Sequence, residues 1–461
     1  MCYNKNMNTN LSILSKQSTG ILLIIGILGI FVITLTQTLS IVTVVGLLLV
    51  LFIIASFLYK PLFGFLTIVI LRTFVDFFSS YFSLSITENI QLNIASIFAL
   101  LLIVLSIIFI ALYWNFIPKI YLIAPFLLFI GFSIISIFYS IDKTATIQEA
   151  IRLISIFLSF ITAYILTLKI SQAREIIVST ILISAIVPIM FAIYQFMTNS
   201  GITDSTGTEG RLFGTFTHPN AFASFLLLLV AILTYKIFAI NIKYPERNFS
   251  KVLIFFVITI LILTFSRGSW LALLIFFTIF SLIKAPKLLF IIFSFIVLLF
   301  FTSQTVHDRI EDIYNPPSNS SIRWRIKQWK NAISAWQLSP IYGYGSGTEI
   351  KIHEQELGFH AGNPYTHNDF IKSLQETGII GFILFVFLIL TTILFLIKQY
   401  HDIKKTDEKL FVLVVLLFFI SEIVFGMSSN IWRGTAVEWL IWTLVASALS
   451  IEKTIPKLTH K

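Results

Sequence analysis

A single cysteine, Cys2, among 461 residues leaves no partner for an intrachain disulfide. With seven scattered histidines it assembles no zinc-type cluster, and no metal or cofactor site is expected. Charge is scarce as well: Asp, Glu, Lys and Arg make up 12% of the chain, against 57% hydrophobic residues. Long polar stretches are nearly absent, the one exception running from about Thr302 to Thr377. That composition excludes an ordinary soluble domain. The net charge of +10 would suit nucleic acid, but its distribution along the chain argues against such a partner.

Apolar runs of membrane-crossing length recur throughout. About fourteen spans are expected, where ~20 residues of helix cross ~30 Å of hydrocarbon. They lie near 20–37, 41–58, 62–80, 94–113, 120–139, 150–168, 175–196, 221–240, 251–265, 270–283, 287–302, 378–397, 409–427 and 434–451. Backbone groups in lipid must bond internally, so the fold class is all-α, a polytopic bundle of about 12–14 spans. The first run, Ile21–Leu35, has no small-residue cleavage site after it and is expected to be a retained helix. With the N-terminus in the cytoplasm, the inner connections carry Lys60, Lys119, Lys169, Lys236, Lys284 and Lys404, among other basic residues. The positive-inside pattern then puts the long polar loop on the extracytoplasmic side of the cytoplasmic (inner) membrane.

The arginines do not follow the lysines. Arg152, Arg211, Arg267, Arg309, Arg323, Arg325 and Arg433 all fall on the outer side. Each could snorkel to lipid headgroups, but as a set these planar, permanently charged forks suit an anion-binding mouth. Arg72 and Asp76 read as a structural i,i+4 pair, and Glu422 and Glu438 as pairing partners for Arg433 or Arg267.

The outer loops supply further candidates. In Gly210–Arg211–Leu212–Phe213–Gly214–Thr215–Phe216–Thr217–His218–Pro219–Asn220, Asn220 reads as a helix cap and Arg211 and His218 as polar contacts to a ligand. Arg267 sits in the tight hairpin Ser266–Arg267–Gly268, which forces it to the membrane boundary. Over Ser321–Trp336 a helical period gathers Ile322, Ile326, Trp329, Ala332, Ile333 and Trp336 on one face, with Arg325 inside that stripe. Arg323, Lys327 and Lys330 share another face. The helix is amphipathic, lying on the outer leaflet or capping the bundle; Arg323 reads as a headgroup contact and Arg325 as a site residue. The glycines of Tyr342–Gly343–Tyr344–Gly345–Ser346–Gly347 lack the Lys–Ser/Thr of a nucleotide loop, so a flexible turn is preferred to an anion cradle. Thr366 and Asp369 stand at capping-box spacing, which puts His367 at the first helical position with Gly378 as the stop. There imidazole is either a helix-start hydrogen-bonding group or a neutral base beside arginines.

His367–Asn368, nine intervening residues, then Gly378–x–x–Gly381 resembles the signature of the bacterial O-antigen ligase and O-antigen polymerase family. Arg211…Gly214–Thr215…Pro219–Asn220, Ser266–Arg267–Gly268, Arg325–x3–Trp329–x2–Ala332 and Pro340–x2–Gly343–x–Gly345 resemble it in the same order, over roughly residues 205–385. The resemblance implies a metal-independent, inverting glycosyltransferase with an undecaprenyl-pyrophosphate-linked glycan as donor. Arg267 and Arg325 would hold the pyrophosphate, His367 would activate the acceptor hydroxyl, and Arg211, His218, Asn368 and Arg323 would contact substrate. Trp324, Trp329 and Trp336 would stack on sugars or belong to an interfacial belt. The domain reading is a transmembrane bundle over 1–302, an extracytoplasmic catalytic loop over 303–377 and C-terminal transmembrane helices over 378–461. The expected partners are the lipid-linked donor, a glycan or lipid acceptor, membrane lipids and other glycan-assembly proteins. About fourteen spans rather than twelve leans the reading to a polysaccharide polymerase. The alternatives are a ligase acting on a lipid, protein or wall acceptor, and a flippase for the same lipid.

Overall fold

A computed structural model describes residues 41–451, apart from 79–82, 88–89, 204–209, 303, 305–306, 308–310, 312–313, 316–320 and 358–364. The expected span at 20–37 and Arg309 lie outside the described residues. Every other expected span coincides with a helix: α1 (Ile41–Tyr59), α2 (Pro61–Phe78), α3 (Ile94–Leu112), α4 (Ile123–Ile135), α5 (Lys143–Lys169), α6 (Ala173–Ser184) and α7 (Ile186–Thr198). Then follow α8 (Pro219–Phe238), α9 (Tyr244–Leu263), α10 (Arg267–Lys284) and α11 (Lys287–Thr302). The polar segment holds α12 (Ser321–Leu338) and α13 (Glu349–Leu357), and the chain continues with α14 (Asp369–Asp402), α15 (Thr406–Gly426) and α16 (Thr435–Leu449). A short antiparallel hairpin, Ser83–Thr87 with Ile90–Asn93, interrupts an otherwise helical molecule.

Among the described residues, seven helices are long and apolar enough to cross a membrane, α6 and α7 running together as Ala173–Thr198. The protein is therefore an integral membrane protein, with fewer full-length spans than expected. The shortfall has a simple cause. The first turns of α9 carry Glu246, Arg247 and Lys251, while α11 and α16 have 16 and 15 residues, short of the ~20 a perpendicular crossing needs.

Burial sorts the helices into layers. α16 is apolar nearly all round and buried along its length, the pattern of a central helix. Its Trp442 ring lies 4.6 Å from Phe126, 5.9 Å from Phe160 and 5.7 Å from Phe419. Indole N–H groups cannot stay unbonded in such a core. Trp439 Nε1 donates to Ser155 Oγ at 3.0 Å, and Trp442 Nε1 to Glu438 Oε2 at 2.9 Å. Glu438 is thus bonded within its own helix, and Glu422 accepts from Ser224 at 2.8 Å. Neither makes the expected pair with Arg433, which instead lies 3.9 Å from Glu349. α3 and α14 leave one side bare, with Ile107 and Leu394 more than half exposed, as a lipid-facing surface would be.

The two ends of the bundle differ in chemistry. At one end Lys236 pairs with Glu246, Arg174 approaches Glu408 at 3.8 Å, and Asp407 accepts from the amides of Ile240 and Asn241. These are the lysine-rich turns. The helices leading away from them carry Arg152, Arg211, Arg267 and Arg433 to the opposite end.

α14 is broken there. Gly378 has φ +61° and ψ −167°, so Asp369–Thr377 forms a separate short helix before the long one. Into the break fits the Pro340–Gly345 turn: Ile379 N donates to Pro340 O at 2.9 Å, and Tyr344 N and Gly345 N both donate to Glu376 O. Gly343, at φ +69°, faces Gly378 backbone to backbone. Gly381 lies where a methyl group would overlap Thr377 and Phe132, which lets α4 pack closely. The substitution Gly378→Ala should therefore cost about 1–3 kcal/mol from the left-handed φ alone, with overlap on the Ile341 carbonyl added. Thermal unfolding in detergent checks this; a midpoint equal to the wild type would contradict the close apposition.

Candidate functional site

His367 stands at the centre of the arginine-bearing end, but not inside a helix. The cap of α14 is Asn368, whose Oδ1 accepts from Phe370 N at 3.0 Å and Ile371 N at 3.1 Å. Its Nδ2 donates to Met427 O at 2.8 Å. The expected capping box with Thr366 is therefore displaced by one residue pair, and Asn368 is engaged in structure rather than offered to a ligand. Asp369 instead accepts from Trp432 N at 3.2 Å. His367 precedes the cap with φ +49°, a strained value for a residue with a Cβ.

What holds it is Thr366. Glu349 Oε1 accepts from both Thr366 N and Thr366 Oγ1, each at 2.7 Å, and Trp329 Nε1 donates to Thr366 O at 2.7 Å. Glu349 is 1% exposed, accepts further from Asn430, and is itself fixed because its amide donates to Glu376 Oε1 at 3.1 Å. Gly347 N donates to the other oxygen of Glu376 at 2.9 Å. The glycine-rich turn is thus neither flexible nor a phosphate cradle: the anion it holds is the carboxylate of Glu376. Glu349, Glu376 and Asn430 carry no local sequence signal, because their partners lie far off in the chain.

On the other side, the 211–220 loop brings Arg211 and His218. Buried Gln195 accepts from Phe213 N and Gly214 N and donates to Gly214 O, locking the turn. Arg211 Nε donates to Thr264 O at 3.0 Å, and its Nη2 lies 3.5 Å from Asn220 Oδ1. Here the cap is His218, not Asn220: its Nδ1 accepts from Asn220 N at 3.0 Å. Asn220 donates instead to Ser429 Oγ at 2.8 Å. With its Nδ1 lone pair taken, neutral His218 carries its proton on Nε2 and is a hydrogen-bond donor.

The His218 and His367 rings are 6.0 Å apart, and Trp324 and Tyr365 lie 5.7 and 6.4 Å from His367. Burial, then the charges of Arg325, His218 and Arg211, push His367 down to about 3. Burial, Arg211 and Arg325 push His218 down to about 4. The four predicted residues His367, His218, Arg211 and Arg325 therefore share one electrostatic environment. Both imidazoles are neutral at pH 7.

α12 packs over the short part of α14, capping the bundle. Its buried face is Gln328, Ala332 and Ala335, flanked by half-buried Arg325, Trp329 and Trp336. Ile326 and Ile333, expected on that face, are 43% and 39% exposed. The stripe is rotated because the tryptophans reach loop backbone: Trp336 Nε1 donates to Pro340 O at 3.1 Å. Arg325 faces inward as expected, while Arg323, Lys327 and Lys330 face out. Arg267 begins α10, where Gly268 lies so close against Ser428 and Phe425 that a methyl group would overlap them. The same turn after α15 receives Asn368, which ties Arg267 to the His367 end. Arg152 is consumed structurally: it grips Glu149 and donates to Trp432 O at 2.6 Å.

Residues 252–386, covering α9 to the first part of α14, match the family model described as O-Antigen ligase. A provisionally named polysaccharide ligase of Rickettsia felis is 27% identical over 49% of this chain and 58% of its own length. A second such ligase, of Rickettsia conorii, is 31% identical over 25% of this chain and 29% of its own. An uncharacterized protein of Haemophilus influenzae is 28% identical over 24% and 29%. The chain thus spans from 29% to 58% of the length of the relatives it matches. This match falls on α10, α12 and the His367–Gly381 segment, so that part of the chain is similar to the O-antigen ligase family.

Proposed function

We propose that the protein transfers a glycan from an undecaprenyl-pyrophosphate-linked donor to an acceptor hydroxyl, on the extracytoplasmic face of the cytoplasmic membrane. The observation that carries this reading is a neutral imidazole, His367, in the field of two loop- and helix-borne arginines, Arg211 and Arg325. Arginine forks match pyrophosphate oxygens and neutralise the charge that grows on a leaving group. The acceptor oxygen attacks the anomeric carbon as the bond to pyrophosphate breaks. His367 takes the hydroxyl proton, and the departing oxygen keeps the electron pair. One displacement inverts the anomeric centre. Arg267 and Arg325 hold the pyrophosphate, Arg211 assists, and the Nε2–H of His218 donates to substrate oxygen. Trp324, beside His367, offers a stacking face for a sugar.

A base pushed down to about 3 is weak; burial is the larger cause and stays, but the arginine charges that add to it can be offset. Pyrophosphate bound on the arginines would cancel their field at His367 and favour imidazolium. Donor binding would thus strengthen the base for the step that needs it. The family model and two of the three relatives are described as ligases, which favours a distinct acceptor over polymerisation; a ladder of products in place of one transfer would favour the polymerase.

Reconstituted with a lipid-pyrophosphate oligosaccharide, His367→Ala should lower kcat by about 10²–10⁴-fold with normal protein levels. Normal transfer by this variant would point instead to a flippase or scaffold. The pH profile gives a second test. Across about pH 5–8 the free enzyme keeps His367 neutral, so kcat/KM for the donor should show no acid limb. The donor complex, with His367 raised, should lose kcat as pH falls through the new value; coincident limbs would contradict the tuning. A third test concerns the grip on Thr366. Glu349→Ala should lower kcat far more than it raises KM, and Glu349→Gln, which keeps an acceptor oxygen, should recover most of the loss. Equal damage from both would mean that Glu349 serves the fold alone.

A further inference from the structure

A cleft of about 480 Å³ opens between the first turns of α5 and the helix α13. Its floor is built of buried ion pairs. Glu149 accepts from Arg152 at 2.8 and 2.6 Å, and Lys372 bridges Glu149 at 3.8 Å and Glu376 at 3.7 Å. The side chains of these four are from 3% to 15% exposed. The rim is open to water: Thr144 and Gln148 are exposed, and the side chains of Lys351, Glu354 and Arg433 are about two-fifths exposed.

The lining decides the ligand class. Carboxylates of Asp142, Glu349 and Glu354 join those of the floor, so a polyanion meets repulsion wherever it meets attraction. Only Ala145 and Ile350 are apolar, which leaves nothing for an acyl chain. Hydroxyl groups are both donors and acceptors and can satisfy the carboxylates and the cations alike. The ligand that fits is neutral and polyhydroxylated.

Residues of the cleft also touch the neighbours of His367. Arg433, on its rim, lies 4.1 Å over the ring of Tyr365, whose own neighbour at 6.4 Å is His367. Glu349 is both a cleft wall and the holder of Thr366. Arg211 and His218 reach His367 from a different element, the loop before α8.

We propose that this cleft binds the sugar residues of a neutral acceptor glycan and delivers its terminal hydroxyl to His367. The assignment of the ligand as acceptor rests on the transfer reaction proposed above; the glycan binding itself does not. It is tested with the full-length protein in nanodiscs, using saturation-transfer NMR and calorimetry with neutral oligosaccharides of graded length released from the source cell's surface polysaccharide. The wild type should bind, with affinity rising with length. The rim-filling variants Thr144→Trp and Gln148→Trp should weaken binding by about tenfold or more at unchanged thermal midpoint. Lys330→Trp, on the outward face of α12, is the control and should bind as wild type.

Wild-type affinity in both rim variants, or a preference for inorganic pyrophosphate or lipid over oligosaccharide, would overturn the proposal. If binding follows the prediction while no variant, wild type included, transfers glycan, the cleft stands and the transferase reading falls. If transfer occurs and the rim variants leave the acceptor KM unchanged, the cleft falls and the transferase reading stands.

Discussion

Everything at the His367 end depends on how one helix break is satisfied. A break in a bundle helix frees amides and carbonyls that lipid cannot bond, so something else must bond them. Here the Pro340–Gly345 turn inserts at Gly378 and donates two amides to Glu376 O. The carboxylate of the same residue accepts from Gly347 N and Glu349 N. Glu376 therefore stitches a loop from the polar segment onto a bundle helix. From that stitch Glu349 reaches Thr366, and Thr366 fixes the strained backbone of His367. A residue with a Cβ keeps φ +49° only where its surroundings over-determine it, and these do.

The same stitch explains the spacing between His367–Asn368 and Gly378–x–x–Gly381. Asn368 caps a helix of just over two turns, Gly378 accepts the inserted turn, and Gly381 lets the resumed helix lie against Phe132. Each position answers a separate steric demand. The spacing is therefore a geometric property of the break and is not itself catalytic. Of its members, His367 alone presents a titratable group to the arginines.

Hydrophobic runs made the helices legible from sequence, because lipid-length apolar segments have few alternatives. The segregation of lysine from arginine was legible in part: lysine-rich turns lie at one end, and Arg152, Arg211, Arg267, Arg325 and Arg433 at the other. Arg325 was separable from Arg323 by helical phase alone. What sequence hid was every long-range polar bond. Thr366 looked like a cap, but Glu349 outcompetes the helix amides for it. Asn220 looked like a cap, but His218 takes that place and frees Asn220 for Ser429. The glycine-rich turn looked loose because its anion, Glu376, lies about thirty residues on. Ile326 and Ile333 looked buried because periodicity cannot foresee that tryptophan N–H groups rotate the helix toward loop carbonyls.

Charges at this end of the bundle fall into two classes. Arg152, Glu149, Lys372 and Glu376 neutralise one another at short range, and burial makes breaking any one of those pairs costly. Their work is to be rigid. Arg211 and Arg325 act instead on two imidazoles, and the local balance there is positive. In the transfer reaction proposed for this site, burial and then the arginine field both weaken His367 while the site is empty. An anion bound on the arginines would offset the second of these and leave the first. On the transfer reaction proposed for this site, acceptor activation would be favoured by donor occupancy, and a hydroxyl arriving first, water included, would meet a weaker base. Coupling base strength to donor binding in this way would limit wasteful hydrolysis.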